Sequence, residues 1–330
     1  MAVNVTRFHE VFRYQSRAPV PDLLKDLEVL ARLDARAEGL RRTLRWSGWL
    51  TAIPGGLMAT VTYVVWAATL KREEIIEAGA RLLKLTGGVG GALLVVGLLL
   101  LFWRFTLRRR DLDNRRYGLA RVLLRRLQMD LAPNAPVRLK LDLSPPDELD
   151  KRVKQGMVGW WNTDFFVDPW FMLETRLADG SFVRIRMVER LQKRERSKRS
   201  ASGKSRTKTK TKGFARLEVS VRVKPARYPG LERLKARATD AVRLPRNIEL
   251  ERVRVAADRM SLRARLSDRW MAKAEREPGD PEVPAFWTQA LPRDDASRTA
   301  TMLLLSVYQV LGYARRRAKL QAARGRRESV

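Results

Sequence analysis

The sequence contains no cysteine and a single histidine, His9, among 330 residues. Disulfides, thiol nucleophiles, CxxC redox pairs and thiolate zinc sites are thereby excluded, and a His-rich metal site cannot be assembled. Acid is scarce as well: 36 Asp and Glu stand against 67 Lys and Arg, a formal net charge of +31. Such an excess calls for anionic partners. Hydrophobic residues make up 45% of the chain, which argues against disorder, and the length suffices for one or two domains with a sizeable core.

Charge is missing altogether from two stretches. Residues 46–70 run for 25 positions without a charged side chain. At about 1.5 Å per residue a helix of that length exceeds the roughly 30 Å hydrocarbon core of a bilayer. Residues 85–103 form a second uncharged run of 19, closed by Arg104 and Arg108, Arg109 and Arg110. Neither run carries the polar stripe that a core helix normally shows. Trp46, Trp49, Tyr63, Trp66 and Trp103 lie towards the ends, as interfacial aromatics do. The expected fold class is therefore an α+β membrane protein, with a two-helix transmembrane hairpin followed by a cytosolic, mostly antiparallel β-sheet domain with helices.

Orientation follows from the basic flanks. Twelve Arg at positions 32, 36, 41, 42, 45, 104, 108, 109, 110, 115, 116 and 121 flank the pair, against Lys71, Arg72, Arg81 and Lys84 between the runs. The positive-inside rule then places both termini in the cytosol, at a bacterial-type inner membrane, with residues 71–84 as the external loop. The apolar run starts too late and is too long for a cleavable secretion signal.

Around the two spans, 46–70 and 85–103, the remaining segments are assigned by period. Residues 1–45 are expected to hold a cytosolic amphipathic helix from Pro21, with Leu23, Leu27, Leu30, Ala37, Leu40 and Leu44 along one stripe. Residues 104–132 read as a basic juxtamembrane helix, with Ala120, Leu123, Leu124 and Leu127 on one side. Both helices are expected to continue the membrane hairpin. Past Pro133 the period drops to two, opening an α+β domain over 133–290 with strands at 137–143, 171–177, 182–189 and 215–223 and a turn at Asp179-Gly180. Residues 231–242 look helical, and 248–255 with 260–266 form a second hairpin. The final segment, 291–330, is a helix and basic tail, with its apolar middle buried or lying on a surface rather than spanning.

Three stretches are candidates for function. Ala52 and Gly56 in one apolar run, and Gly87 and Gly91 in the other, are spaced by four and let helix backbones approach, within one chain or between chains of a homo-oligomer. An aromatic cluster, Trp160, Trp161, Phe165, Phe166, Trp170 and Phe171, suits a sheet core or contact with headgroups, a base or a sugar. Asp164 and Asp168 inside it are two acids without a further ligand nearby, which is weak ground for metal or two-carboxylate chemistry.

The third stretch, 190–212, holds Arg190, Lys193, Arg194, Arg196, Lys198, Arg199, Lys204, Arg206, Lys208, Lys210 and Lys212 against one acid, Glu195. Thr207, Thr209 and Thr211 alternate with lysines, so the segment is expected to extend the sheet as a two-stranded projection with its tip near residues 200–203. Gly203-Lys204-Ser205 resembles the end of a phosphate-binding loop, but Lys198 stands where its first glycine belongs. The functional expectation is a binding or scaffold protein whose basic domain contacts anionic lipid headgroups or an acidic protein. A membrane-tethered nucleic-acid binder is the alternative, an enzyme comes third, and no cofactor or metal is expected.

Overall fold

The computed structural model describes Phe8 and residues 11–69, 77–107, 112–199, 203, 205–245, 247–272 and 294–328. His9, residues 71–76 of the expected loop, Arg108, Arg109, Arg110, residues 200–202 and Lys204 lie outside them. In chain order the elements are strand β1 (Arg13–Ala18), helices α1 (Val20–Thr69), α2 (Glu77–Leu107) and α3 (Asn114–Leu127), and strands β2 (Val137–Asp142), β3 (Arg152–Val158), β4 (Trp161–Arg176), β5 (Phe182–Arg199) and β6 (Ser205–Arg222). Helix α4 (Lys235–Ala241), strands β7 (Glu249–Val255) and β8 (Arg259–Ser267), and helix α5 (Ala296–Glu328) complete the chain. The molecule divides into two compact units, Met1–Glu28 with Asp113–Val330, and Val29–Leu112.

The first unit is built on an eight-stranded sheet in the order β1-β2-β4-β5-β6-β8-β7, with β3 added to β4. Every pairing is antiparallel. Alternation explains why these residues make strands: Leu139 and Leu141 of β2, Ile185 and Met187 of β5, Leu217 and Val219 of β6, and Leu262 and Ala264 of β8 all point to one face and are buried. Helix α5 covers that face over β6 and β8 and packs against α3 and α4. Leu303, Val307 and Val310 of α5 and Leu119, Leu123 and Leu124 of α3 are buried with it.

Helix α5 thus packs within the sheet unit through its apolar face. For α3 the structure corrects the sequence reading, because it packs in the sheet unit instead of continuing the hairpin. The physical reason is a cap: Asp113 accepts from the Arg115 backbone N–H at 3.0 Å and starts a new helix whose leucine face belongs to the sheet's core. Residues 1–45 are not helical throughout either, since 13–18 pair with β2 as an edge strand. Tyr14 of β1 donates to Asp26 Oδ2 at 2.8 Å and ties that strand to the first turns of α1.

In the second unit α1 and α2 run antiparallel in close contact, and two helices are long and apolar enough to span a membrane. A Cβ placed on Gly55 would lie 2.5 Å from the Leu94 backbone nitrogen, one on Gly97 2.5 Å from that of Ala52, and one on Gly90 2.8 Å from that of Ala59. Backbones therefore touch at three glycines along the hairpin. Of the four residues singled out by spacing, Ala52 faces Gly97, Gly56 lies against Leu94 and Gly87 against Thr62, whereas Gly91 has open space around its Cβ position.

This geometry separates glycines that chemistry alone cannot. Gly55→Leu and Gly97→Leu should each cost about 1–3 kcal/mol through overpacking against backbone. Gly91→Leu should leave the hairpin's packing unchanged. Thermal unfolding of the three variants checks this, and equal melting temperatures would contradict the contacts.

Candidate functional site

Strands β5 and β6 pair without a break from Phe182↔Arg222 to Arg199↔Ser205. Strand β6 leaves β8 at Phe214↔Ser267, so its outer half, 205–212, is paired to β5 alone and is exposed throughout. Residues directly opposite in an antiparallel pair share a face. One face of this arm therefore presents Gln192↔Lys212, Arg194↔Lys210, Arg196↔Lys208 and Lys198↔Arg206, and the other Lys193↔Thr211, Glu195↔Thr209, Ser197↔Thr207 and Arg199↔Ser205. The first face has seven cations and no acid; the second has two cations and one acid. The alternation of Lys with Thr along β6 is what sorts them.

The basic face continues down the sheet through Arg190 and Phe214, which oppose each other. The guanidiniums of Arg265 and Arg216 stand 4.2 and 5.3 Å from the Phe214 ring centroid. A cleft of about 590 Å³ opens there, with Phe165, Val167 and Phe214 among its apolar lining and Arg190, Lys212 and Arg265 among its cations. Strand β4 brings Trp161 to the same face, where Lys210 Nζ lies 5.5 Å from its ring centroid. Trp160, at the β3–β4 turn, is 79% exposed and has the Arg196 guanidinium 5.9 Å from its ring.

Three cross-strand pairs in the arm set cation against cation: Arg194↔Lys210, Arg196↔Lys208 and Lys198↔Arg206. Like charges directly opposite destabilise a sheet, so this face is arranged against the arm's own stability. An anion lying across it would relieve that repulsion.

The aromatic cluster does not form one site. Trp170, Phe171 and Phe166 are core residues, Trp161 and Phe165 are half-buried on the basic face, and Trp160 is exposed. The division comes from a β-bulge in β4 between Asp168 and Phe171, where Pro169 and Trp170 together oppose Val188 of β5.

Asp168, expected at most as half of a weak carboxylate pair, sits in an ion network that the sequence did not reveal. Arg116, counted in sequence as a membrane flank, is instead 1% exposed, and its Nη2 lies 2.7 Å from both Asp168 Oδ2 and Glu189 Oε2. Its Nη1 donates to the Asp142 carbonyl at 2.7 Å. Lys151 Nζ lies 3.0 Å from Asp168 Oδ1 and 3.3 Å from Asp142 Oδ1. Trp270 donates its indole N–H to Glu189 Oε1 at 2.8 Å and stacks on Trp170, with centroids 5.5 Å apart. Asp164, by contrast, faces Arg152 at 3.6 Å.

Burial pushes the Asp168 carboxyl up, against the pull of Arg116 and Lys151. Burial also acts to raise Asp142, but hydrogen bonds from Ser144 and the charge of Lys151 hold it below the usual range. Both carboxylates are committed to cations, and among the described residues no group of three or more acids and histidines is arranged to hold a metal. The members of this network pair with one another, whereas residues 205–212 of the basic arm are exposed.

Removing Arg116 leaves Asp168 and Glu189 without their shared partner in the interior. Arg116→Met should cost about 3–5 kcal/mol. It also removes a charge that holds Asp168 down, so the carboxyl rises further and the penalty falls on states above its folded pKa. The deficit relative to wild type should therefore shrink as pH is lowered from about 7 to about 5. Thermal unfolding at the two pH values measures both effects. No family model, curated protein sequence or solved structure matches this chain, and the reading of the basic face rests on its own chemistry.

Proposed function

We propose that the chain is an integral membrane protein of a bacterial-type inner membrane, anchored by α1 and α2 as transmembrane spans, whose cytosolic sheet unit binds a polyanion across the basic face of β5 and β6. The observation that carries this reading is the seven-cation face without an acid. Several facts support the anchor. The most apolar window of each helix is only 11% buried, unlike a core helix, and Leu50, Leu57, Val61, Leu98 and Leu99 are exposed. The apolar runs exceed or approach bilayer thickness, and the Arg that border them, Arg41, Arg42, Arg45 and Arg104 among them, favour a cytosolic side for both termini.

Tethering selects the partner. A domain held beside the cytosolic leaflet meets anionic headgroups first, and each Lys or Arg near that surface is worth about 1 kcal/mol. Exposed Trp160 and half-buried Trp161 suit the interfacial layer as well. Those same aromatics beside cations on a sheet favour a second reading, single-stranded nucleic acid stacked on Trp160 and Trp161. An acidic protein would use the charge and leave the aromatics without a role.

The two faces of the arm supply the test. Replacing Arg196, Lys208 and Lys210 with Gln should weaken binding of the full chain, held in neutral-lipid nanodiscs, to vesicles containing phosphatidylglycerol. Lys193→Gln with Arg199→Gln, on the opposite face, should not. Raising salt to about 1 M should imitate the first set, since the screening length is about 8 Å at 0.15 M and shorter above it. Equal binding by both sets at 0.15 M would reject the face. Tighter binding to single-stranded DNA or RNA at matched salt would move the assignment to the second reading. The first set should also raise the melting temperature by about 2–4 °C at low salt, because two cation pairs across the strands are removed.

Topology is tested separately. The chain should resist carbonate extraction, and in this Cys-free background a cysteine at position 74 should label from outside intact cells while one at position 203 should not. External labelling at 203 would overturn the orientation.

A further inference from the structure

The hairpin unit carries a charged feature of its own, distant in sequence from the arm. Helices α1 and α2 close on each other at Gly48, where an added Cβ would lie 2.8 Å from Leu101 Cγ. Next to this contact a cleft of about 670 Å³ opens between the helices. Arg41, Arg42 and Arg45 of α1 and Arg104 of α2 line it, with Glu38 as its single acid. Leu101 and Phe105 form its apolar wall, and Phe105 is largely exposed.

The cleft lies where both apolar runs stop, since the uncharged stretches begin at Trp46 and end at Trp103. Four guanidiniums from two helices thus converge on one volume whose wall is continuous with the apolar stretch. Positive flanks satisfy the orientation rule when scattered around a helix; here those of two helices share a cleft. Guanidinium forks match the oxygens of phosphate, and several can share one group. Exposed Trp46, with the Arg45 guanidinium 5.9 Å from its ring, and exposed Trp103 stand at the same level, as interfacial aromatics do.

We infer that this cleft is a binding site for the phosphate of an anionic membrane phospholipid, with Arg41, Arg42, Arg45 and Arg104 holding the headgroup and Leu101 and Phe105 meeting the start of an acyl chain. Basic pockets between membrane helices on the cytosolic side are a recurrent setting for such headgroups. The inference rests on the membrane reading of the hairpin and not on the arm.

The test uses the full chain purified in mild detergent, with retained lipid counted by native mass spectrometry. Wild type should keep phosphatidylglycerol over phosphatidylcholine by roughly tenfold or more. The variant Arg42→Gln, Arg45→Gln, Arg104→Gln should lose that preference while keeping its helix content by circular dichroism. Lys193→Gln with Arg199→Gln, on the face of the arm that has no binding role, should retain it. Millimolar inorganic phosphate should leave the lipid in place. Displacement of the lipid by phosphate would assign the cleft to a soluble anion and overturn the lipid source. Equal retention by wild type and the cleft variant would overturn the site. If the chain stays in the membrane after carbonate and shows no preference, the cleft alone is rejected. If carbonate releases it, the membrane reading falls and this inference with it.

Discussion

The register between β5 and β6 governs the rest of the sheet unit. Eighteen residue pairs follow one another without a slip, and at the inner end Val183, Ile185 and Met187 meet Val221, Val219 and Leu217 under the helices. Because side chains alternate strictly, burying these residues fixes the facing of every residue further out. The core thus decides on which side of the arm the lysines stand, although no lysine of the arm takes part in it. A shift by one residue would bury charge at one end and turn the threonines to the basic face at the other.

Much of this architecture was legible in the sequence where the period is clean. Strands β2, β5, β6 and β8, the Asp179-Gly180 turn and the two-stranded projection follow from alternation and turn chemistry. Strand β1 has no such signal, since Tyr14 is its one buried residue and the strand is specified by pairing with β2, more than a hundred residues away. Strand β3 is exposed along nearly its whole length and offers no pattern either. In the hairpin, spacing named Gly87 and Gly91, but which glycines touch is set by how the helices are rotated, and Gly55, Gly90 and Gly97 make the backbone contacts. The Arg116 network was hidden for another reason. Its members come from positions 116, 142, 151, 168 and 189, and one arginine among so many carries no mark of being buried.

The protein uses charge in two opposite ways. Inside, Arg116 and Lys151 are matched to Asp168, Glu189 and Asp142 at hydrogen-bond distances, which is the condition under which interior ions are tolerated. On the arm the cations are left facing one another, at a cost to the arm's own stability. A ligand that neutralises that face would also stiffen the arm, because whatever binds the folded form stabilises it. Binding and local order are then one equilibrium.

The bulge at Pro169 and Trp170 changes the parity of β4. Inward of it, odd-numbered residues such as Phe171 and Leu173 face the core; outward of it, even-numbered ones, Phe166 and Asp168, do so. This switch is why Trp161 and Phe165 can share a face with Lys210 while Asp164 and Asp168 are turned from it. Were the same residues paired regularly through that point, Asp168 would stand opposite Arg190 and Asp164 opposite Arg194, and two carboxylates would take the basic side in place of two aromatic rings. The sign of the surface is therefore written partly in an irregularity of its neighbouring strand, and straightening that bulge with all its residues kept would reverse local polarity without changing any side chain on the arm itself.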